Sequence, residues 1–236
     1  IYTSGTTGNP KGVMHTTNAI NVVLELVPAE LKLRSQMQLF SYLPLSHIAE
    51  RLAGEMFGIY MGCSINFAES LAAFAQNLAD TQPDYFLGVP RIFSKFQEGI
   101  LKKIPQKKLS LLLKIPIVNY LVKKSIRKKL GFARVSIILC GAAPIGIETL
   151  LWYEQLGIKI LVVYGMTEDC VYNHMERPGE RRLGSVGKPL PGLQTKITAD
   201  GEIRVKSEGN MKGYYKEPAL TAEAFDDEGY LKTGDM

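Results

Sequence analysis

The residues best suited to chemistry stand at the very start of the chain. Thr3-Ser4-Gly5-Thr6-Thr7-Gly8-Asn9-Pro10-Lys11-Gly12 gathers three glycines, four hydroxyl side chains and one lysine. Glycines let successive backbone N–H groups turn toward one point, and hydroxyls and an ammonium add donors and positive charge. That inventory suits a polyphosphate. A polar turn after a strand is the plainer reading of a short Gly/Ser/Thr loop, and the attached Pro10-Lys11-Gly12 argues against it. The loop is not a Walker A motif. Counted from Gly5, Pro10 stands where that motif needs its second glycine, and Gly12 where it needs the metal-binding hydroxyl.

Further candidates lie downstream. In Tyr164-Gly165-Met166-Thr167-Glu168 an aromatic ring and a glycine can flank a base, while a carboxylate and a hydroxyl near phosphates can hold Mg²⁺. The plainer reading of Glu168 is a solvated loop acid. Gly141-Ala142-Ala143 follows a buried apolar run and leaves room for something flat, or simply lets a helix approach the sheet. His47, in Leu43-Pro44-Leu45-Ser46-His47, has a wide range of roles, and a lone histidine is more often structural. Asp235, in Thr233-Gly234-Asp235, can accept two hydroxyl donors or serve as a turn residue. His15 and His174 have no comparable context. No Ser-His-Asp or Cys-His grouping is visible.

These residues need elements to hold them. Ile1–Thr3 reads as a strand end feeding the loop. Thr17 to about Leu26 is apolar at helical spacing after the capping candidates Thr16, Thr17 and Asn18. Strands are expected at 38–43, 63–67, 84–89, 135–140 and 158–163, and helices at 48–61, 70–80, 91–101 and 146–156. Gly54 and Gly58 should allow close packing of the 48–61 helix. Residues 102–130 are helical in character, broken by Pro105 and Pro116. Continuous apolar strands alternating with helices predict an α/β fold with a doubly wound, mostly parallel sheet. Ligands of such sheets bind at the carboxyl ends of strands, where the candidate clusters fall. Near Leu183 the pattern changes to glycines, prolines and short alternating strands, with a hairpin over 194–206 turning at Asp200-Gly201. The expected division is an α/β subdomain over 1–183 and a β-rich, partial-barrel portion over 184–236.

Composition sets the class. The chain has 236 residues, 46% hydrophobic and 22% charged, with three scattered cysteines, Cys63, Cys140 and Cys170. These are the values of a soluble globular protein, and the cysteines show neither a disulfide framework nor zinc spacing, which favours a reducing, cytoplasmic compartment. No apolar run reaches the length of a membrane-spanning helix. Net charge is +5, yet no acid occurs between Gly99 and Ile147, a window with eleven basic residues; elsewhere 17 basic residues face 23 acidic ones. The basic stretch over 102–130, interleaved with leucine, isoleucine and valine, is either a solvated helical face or a surface for peripheral contact with an anionic membrane at its inner face. Few aromatics interleave the charges, so nucleic acid is not expected as a partner.

Taken in order, Thr3–Gly12, Leu43–His47, Gly141–Pro144, Tyr164–Glu168 and Thr233–Asp235 resemble the motifs of the adenylate-forming (AMP-binding) superfamily. That superfamily contains acyl-CoA synthetases, luciferase-like enzymes and peptide-synthetase adenylation domains. The resemblance covers essentially the whole chain. It implies that a carboxylate attacks the α-phosphate of ATP to give acyl-AMP and pyrophosphate, and that a thiol, usually coenzyme A, then displaces AMP. It implies that Lys11 and Thr3 contact phosphate and Mg²⁺, that Ser4, Gly5, Thr6, Thr7 and Gly8 line the phosphate loop, and that Glu168 ligates Mg²⁺. Tyr164 would stack on adenine, with Gly165, Met166 and Thr167 beside it. Gly141, Ala142 and Ala143 would lie against adenine and the acyl group, Asp235 would bind the ribose hydroxyls, and His47 would line the carboxylate pocket. Thr81–Phe93, with Val89-Pro90-Arg91-Ile92, resembles the long-chain fatty acid–CoA ligase branch.

Residue 1 falls inside one motif and residue 236 inside another, so the sequence reads as an excised piece of a longer protein. The family's N-terminal portion and its C-terminal lid domain are outside it. A non-catalytic nucleotide- or acyl-binding module is the alternative of a different class. A fatty acyl-AMP ligase or a peptide-synthetase adenylation domain is the alternative within the superfamily.

Overall fold

The computed structural model describes residues 1–4 and 9–236. In chain order the elements begin β1 (Tyr2–Ser4), β2 (Pro10–Met14), α1 (Thr17–Glu30) and β3 (Gln38–Ser41). Next come α2 (Ile48–Glu50), a π-helical stretch Arg51–Met56, α3 (Phe57–Tyr60), β4 (Ser64–Phe67), α4 (Phe74–Thr81), β5 (Tyr85–Gly88) and α5 (Pro90–Lys103). Then follow α6 (Gln106–Leu112), α7 (Pro116–Lys129), β6 (Ile137–Cys140), α8 (Ile147–Gln155), β7 (Ile160–Tyr164), a 3₁₀ turn Thr167–Asp169 and β8 (His174–Met175). The chain ends through β9 (Lys188–Pro189), β10 (Gln194–Ile197), β11 (Ile203–Lys206), β12 (Gly213–Tyr214), α9 (Pro218–Ala224) and β13 (Leu231–Lys232).

The large sheet has the order β4-β3-β5-β6-β7-β8-β9. Its first five strands are parallel, and β8 and β9 add antiparallel at one edge. Alternate residues of each strand enter different cores. Phe40, Phe86, Ile138, Cys140 and Ile160 meet α4, α5, α6, α7 and α8 on one face. Leu39, Tyr85, Ile137, Leu139 and Leu161 meet α1 and the α2–α3 run on the other. A sheet covered on both faces must be apolar at every strand position, which is why these strands read as continuous hydrophobic runs.

Local chemistry accounts for the ends. Thr16 caps α1 by accepting the Ala19 N–H at 3.0 Å. Pro90 and Pro116 occupy the first turns of α5 and α7, where a missing N–H costs nothing. The 48–60 run departs from the uniform helix expected over 48–61 because it widens to a π-helix at Arg51–Met56. There the buried Glu50 turns inward to accept the Leu43 N–H at 3.1 Å. Its carboxylate fills the space a side chain at Gly54 would need. A Cβ at Gly58 would lie 2.6 Å from Ile65, so this glycine sets how closely α3 approaches β4.

Two further sheets complete the fold, each three-stranded and antiparallel: β1-β2-β12 and β10-β11-β13. They share a small core of Val13, Leu193, Val205, Met211, Tyr214 and Leu231 and, among the described residues, form no closed barrel. Two strands tie the expected β-rich portion to what precedes it. Lys188–Pro189 is the last strand of the large sheet, and Gly213–Tyr214 pairs with β2 through Gly213 opposite Met14 and Tyr214 opposite Val13.

Candidate active site

Two adjoining spaces lie at the carboxyl end of the large sheet. One is an apolar cavity of about 180 Å³. Val23, Leu24 and Val27 of α1, Leu52 and Phe57 of the 48–60 run, and Leu87 and Leu139 of the sheet form much of its lining. The other is a polar cleft of about 630 Å³ lined by Thr3, Lys11, Thr167, Glu168, Tyr214, Glu202, Thr233 and Asp235. His47, Ala49, Ala142, Gly165 and Val171 line both, so an apolar chain in the cavity would present its polar end to the cleft at these residues.

The β1–β2 hairpin supplies Thr3 and Lys11, which sit opposite one another in register. Residues 5–8, the expected phosphate loop Gly5, Thr6, Thr7 and Gly8, lie outside the described residues. Ser4 ends β1. His47 caps α2, its Nδ1 accepting the Ala49 N–H at 3.3 Å, which places any neutral-ring proton on Nε2.

The 3₁₀ turn after β7 organises the middle of the cleft. Asp169, fully buried, accepts the Met166 N–H at 2.9 Å and the Asn173 side-chain amide at 2.6 Å. Burial pushes its carboxyl from 3.8 up to about 7 against those two donors. With Asp169 turned inward, its neighbour Glu168 reaches the cleft. The Glu168 Oε1 accepts the Tyr214 hydroxyl at 2.8 Å, and the Lys11 ammonium lies 5.2 Å from the centre of the Tyr214 ring. Burial, then the Glu168 charge, raises the Tyr214 hydroxyl well above its ordinary range, so it stays a donor. Gly165 has no alternative: a Cβ there would fall 2.7 Å from the Val171 backbone. Ala142 takes a left-handed φ of 65°, the kind of strained non-glycine backbone that clusters at sites.

Most of the expected residues that lie among the described ones meet. Thr3, Lys11, His47, Ala142, Gly165, Met166, Thr167, Glu168 and Asp235 line the cleft, and Gly141 lines the cavity. Tyr164 joins from outside both linings by donating its hydroxyl to Asp235 at 2.6 Å. Ala143 is exposed beside the mouth, after Ala142. Sequence reasoning missed Tyr214, Asp169 and the α1 wall of the cavity. Tyr214 had a signal, an aromatic residue directly after a glycine in Asn210–Tyr215; the α1 residues looked like ordinary core. Cys170 Sγ lies 3.2 Å from His15 Nδ1. Burial raises the thiol to about 12 and lowers the imidazole, so the two stay neutral and form no nucleophilic pair.

Among the described residues no three His, Cys, Asp or Glu side chains cluster as a metal cage. Mg²⁺ needs none. It binds through one or two carboxylates together with substrate phosphates, and the hard oxygens of Glu168, Thr3 and Thr167 on one cleft fit that pattern.

Comparison with known proteins agrees with this architecture. The family model of the AMP-binding enzymes matches residues 1–215. The fatty-acid–CoA ligase fadD11 of Mycobacterium tuberculosis is 37% identical over 267 aligned positions, covering 100% of this chain and 46% of that protein. The human long-chain-fatty-acid–CoA ligase ACSBG1 is 33% identical over 274 positions, covering 100% of this chain and 37% of its own. A malonyl-CoA ligase solved with methylmalonyl-CoA and AMP bound superposes with a TM-score of 0.76 at 26% identity, covering 99% of this chain and 48% of that one. The N-terminal domain of FACL13 from Mycobacterium tuberculosis shares the fold, with a TM-score of 0.74 at 22% identity and coverage of 99% and 55%. The chain spans less than half the length of the curated relatives it matches. Matched by that family model over most of its length, the chain belongs to the AMP-binding enzyme family.

Proposed function

We propose that the protein activates a long-chain fatty acid with ATP, forming acyl-AMP and then acyl-CoA. The observation that carries this reading is the shared wall of the apolar cavity and the polar cleft. An acyl chain in the cavity would hold its carboxylate at His47, Ala142 and Gly165, next to the groups suited to ATP. Lys11 and Thr3 would meet the phosphates, Tyr164 the adenine and Asp235 the ribose. Glu168 would hold Mg²⁺, which supplies charge neutralisation on the phosphates when bound. Nucleotidyl transfer depends chiefly on positioning and electrostatic stabilisation, and this set offers both without a nucleophilic side chain.

Coenzyme A is the proposed acceptor, supported by the names of the relatives; long-chain preference rests on the cavity's apolar lining and on Thr81–Phe93. The 236 residues alone should bind ATP weakly and turn over little, because the relatives are more than twice as long. A pyrophosphate-release assay with palmitate, run on this chain and on a longer protein containing it, tests that. Full activity in the short chain would overturn the statement about its size. Product analysis over a panel of fatty acids tests the reaction itself: acyl-AMP accumulating with coenzyme A present would point instead to an acyl-AMP ligase.

A further inference from the structure

The window without acids contains a helical hairpin, α6 and α7, that packs on the core from its inner side. Leu109 of α6 and Ile126 of α7 are buried in the core. The Gln106 side chain accepts the Trp152 indole N–H at 2.8 Å, fastening α6 to α8. The corner between α6 and α7 is held by the Asn119 side-chain amide, which donates to the Leu113 carbonyl at 2.8 Å. At this corner, large apolar side chains face water. Leu111, Ile115, Ile117, Tyr120 and Leu121 are 62%, 46%, 77%, 65% and 57% exposed. Scattered exposed hydrophobics are ordinary, but five large ones within eleven residues at one fixed corner are a surface with a purpose.

Lysines frame this corner. Lys107, Lys108, Lys114 and Lys124 are all exposed, and the Lys124 ammonium lies 5.8 Å from the centre of the Tyr120 ring. Among the described residues, none of the recorded ion pairs involves a basic side chain between 102 and 130. The positive charge is therefore offered outward, uncompensated. No helix of the described residues is long and apolar enough to cross a membrane.

We infer that the α6–α7 corner is an interfacial anchor for an anionic lipid bilayer. Its apolar tips enter the boundary between headgroups and acyl chains, and the surrounding lysines meet lipid phosphates and carboxylates. Tyr120 suits that depth, with an apolar ring and a polar tip. The charge chooses the occupant. An apolar protein partner would need no ring of unpaired lysines, whereas an anionic membrane supplies both an apolar layer and a negative surface. The inference stands apart from the adenylation reading, since none of these residues lines the cavity or the cleft.

Vesicle flotation of the intact chain tests it, comparing phosphatidylcholine vesicles with and without phosphatidylserine. Binding should require phosphatidylserine and weaken with added salt. The triple change Ile117→Ser, Tyr120→Ser and Leu121→Ser should cut partitioning at least about 10-fold. Replacing Lys107, Lys108, Lys114 and Lys124 with Gln should cut it at least about 100-fold, since each lysine contributes roughly fivefold. Circular dichroism should be unchanged in both variants, because every altered side chain is exposed. Equal flotation with neutral and anionic vesicles overturns the inference, as does a serine variant that floats like wild type. A corner that binds acidic polypeptide or RNA, or that dimerises the chain, while ignoring vesicles overturns it too.

Discussion

The apolar cavity and the polar cleft share five residues yet are built in opposite ways. The cavity is walled by one face of the large sheet, from β5 to β8, and by the helices over it, α1 and the 48–60 run. The cleft is assembled from the two ends of the sequence and its middle: Thr3 and Lys11 from the first hairpin, Glu168 from the turn after β7, Tyr214 from β12 and Asp235 from the last residues. Under the proposed reading the cavity would select mainly by shape and apolar area. The cleft would select by charge and hydrogen bonds, and its Tyr214 wall depends on long-range pairing of β12 with β2. Changes to the cleft should therefore damage chemistry while leaving the core intact, and changes to the cavity should alter which acid is used.

The sharpest way to separate the two is Glu168→Gln. In a longer protein containing the chain it should lower pyrophosphate release by roughly 10²–10³-fold, the usual scale for losing a group that stabilises transferring charge, with fatty-acid binding retained. Near-normal turnover would remove Glu168 from the metal role. The opposite change, Val27→Phe, intrudes on the cavity from α1. It should lower kcat/KM for palmitate by about 10-fold or more while ATP affinity holds. A matched loss for short and long acids would mean that the cavity does not seat the chain.

Tyr214→Phe asks how far the cleft relies on its own hydrogen bonds. A bond to a charged carboxylate contributes about 1.5–3 kcal/mol, so turnover should drop about 10-fold. The thermal midpoint should fall by roughly 3–12 °C from the lost buried bond and no further, because the ring still fills its place in the small core and under Lys11. A large loss of stability with unchanged kcat would make Tyr214 purely structural.

The last effect concerns pH. The Asp169 carboxyl holds its proton up to about 7 in the fold and releases it near 3.8 when unfolded. Between those values the folded state binds more protons, so stability declines as pH rises through this window. Glu50, also raised by burial, acts in the same direction. Asp169→Asn should make the decline shallower without abolishing it, as read from thermal midpoints at about pH 4.5 and about pH 7.5. An identical slope in the variant would exclude Asp169 as a contributor.

Much of this architecture was legible beforehand. The strands over 84–89, 135–140 and 158–163 and the helices around them follow from apolar period and from prolines, which act within a few residues. The antiparallel edge of β8 and β9 was not legible, because two-residue strands leave no periodic trace. Nor was β2, whose Pro10 and Gly12 look like loop chemistry; Pro10 is tolerated because it is the strand's first residue. The π-helical widening was equally hidden, since it answers to where the Glu50 carboxylate finds a donor, in Leu43 of the preceding segment.

The sequence by itself determined the doubly wound sheet, the order of the motifs, and the concentration of positive charge over 102–130. These are properties of residue type and spacing along the chain. Tertiary structure alone decided that Tyr214 meets Glu168, that Tyr164 meets Asp235, that α1 closes the cavity, and that Leu111, Ile115, Ile117, Tyr120 and Leu121 turn their side chains to water while Leu109 turns inward. Each is a pairing across many residues or a choice between two faces of one helix. Such choices are settled by what else the fold must bury, and local pattern carries no record of that.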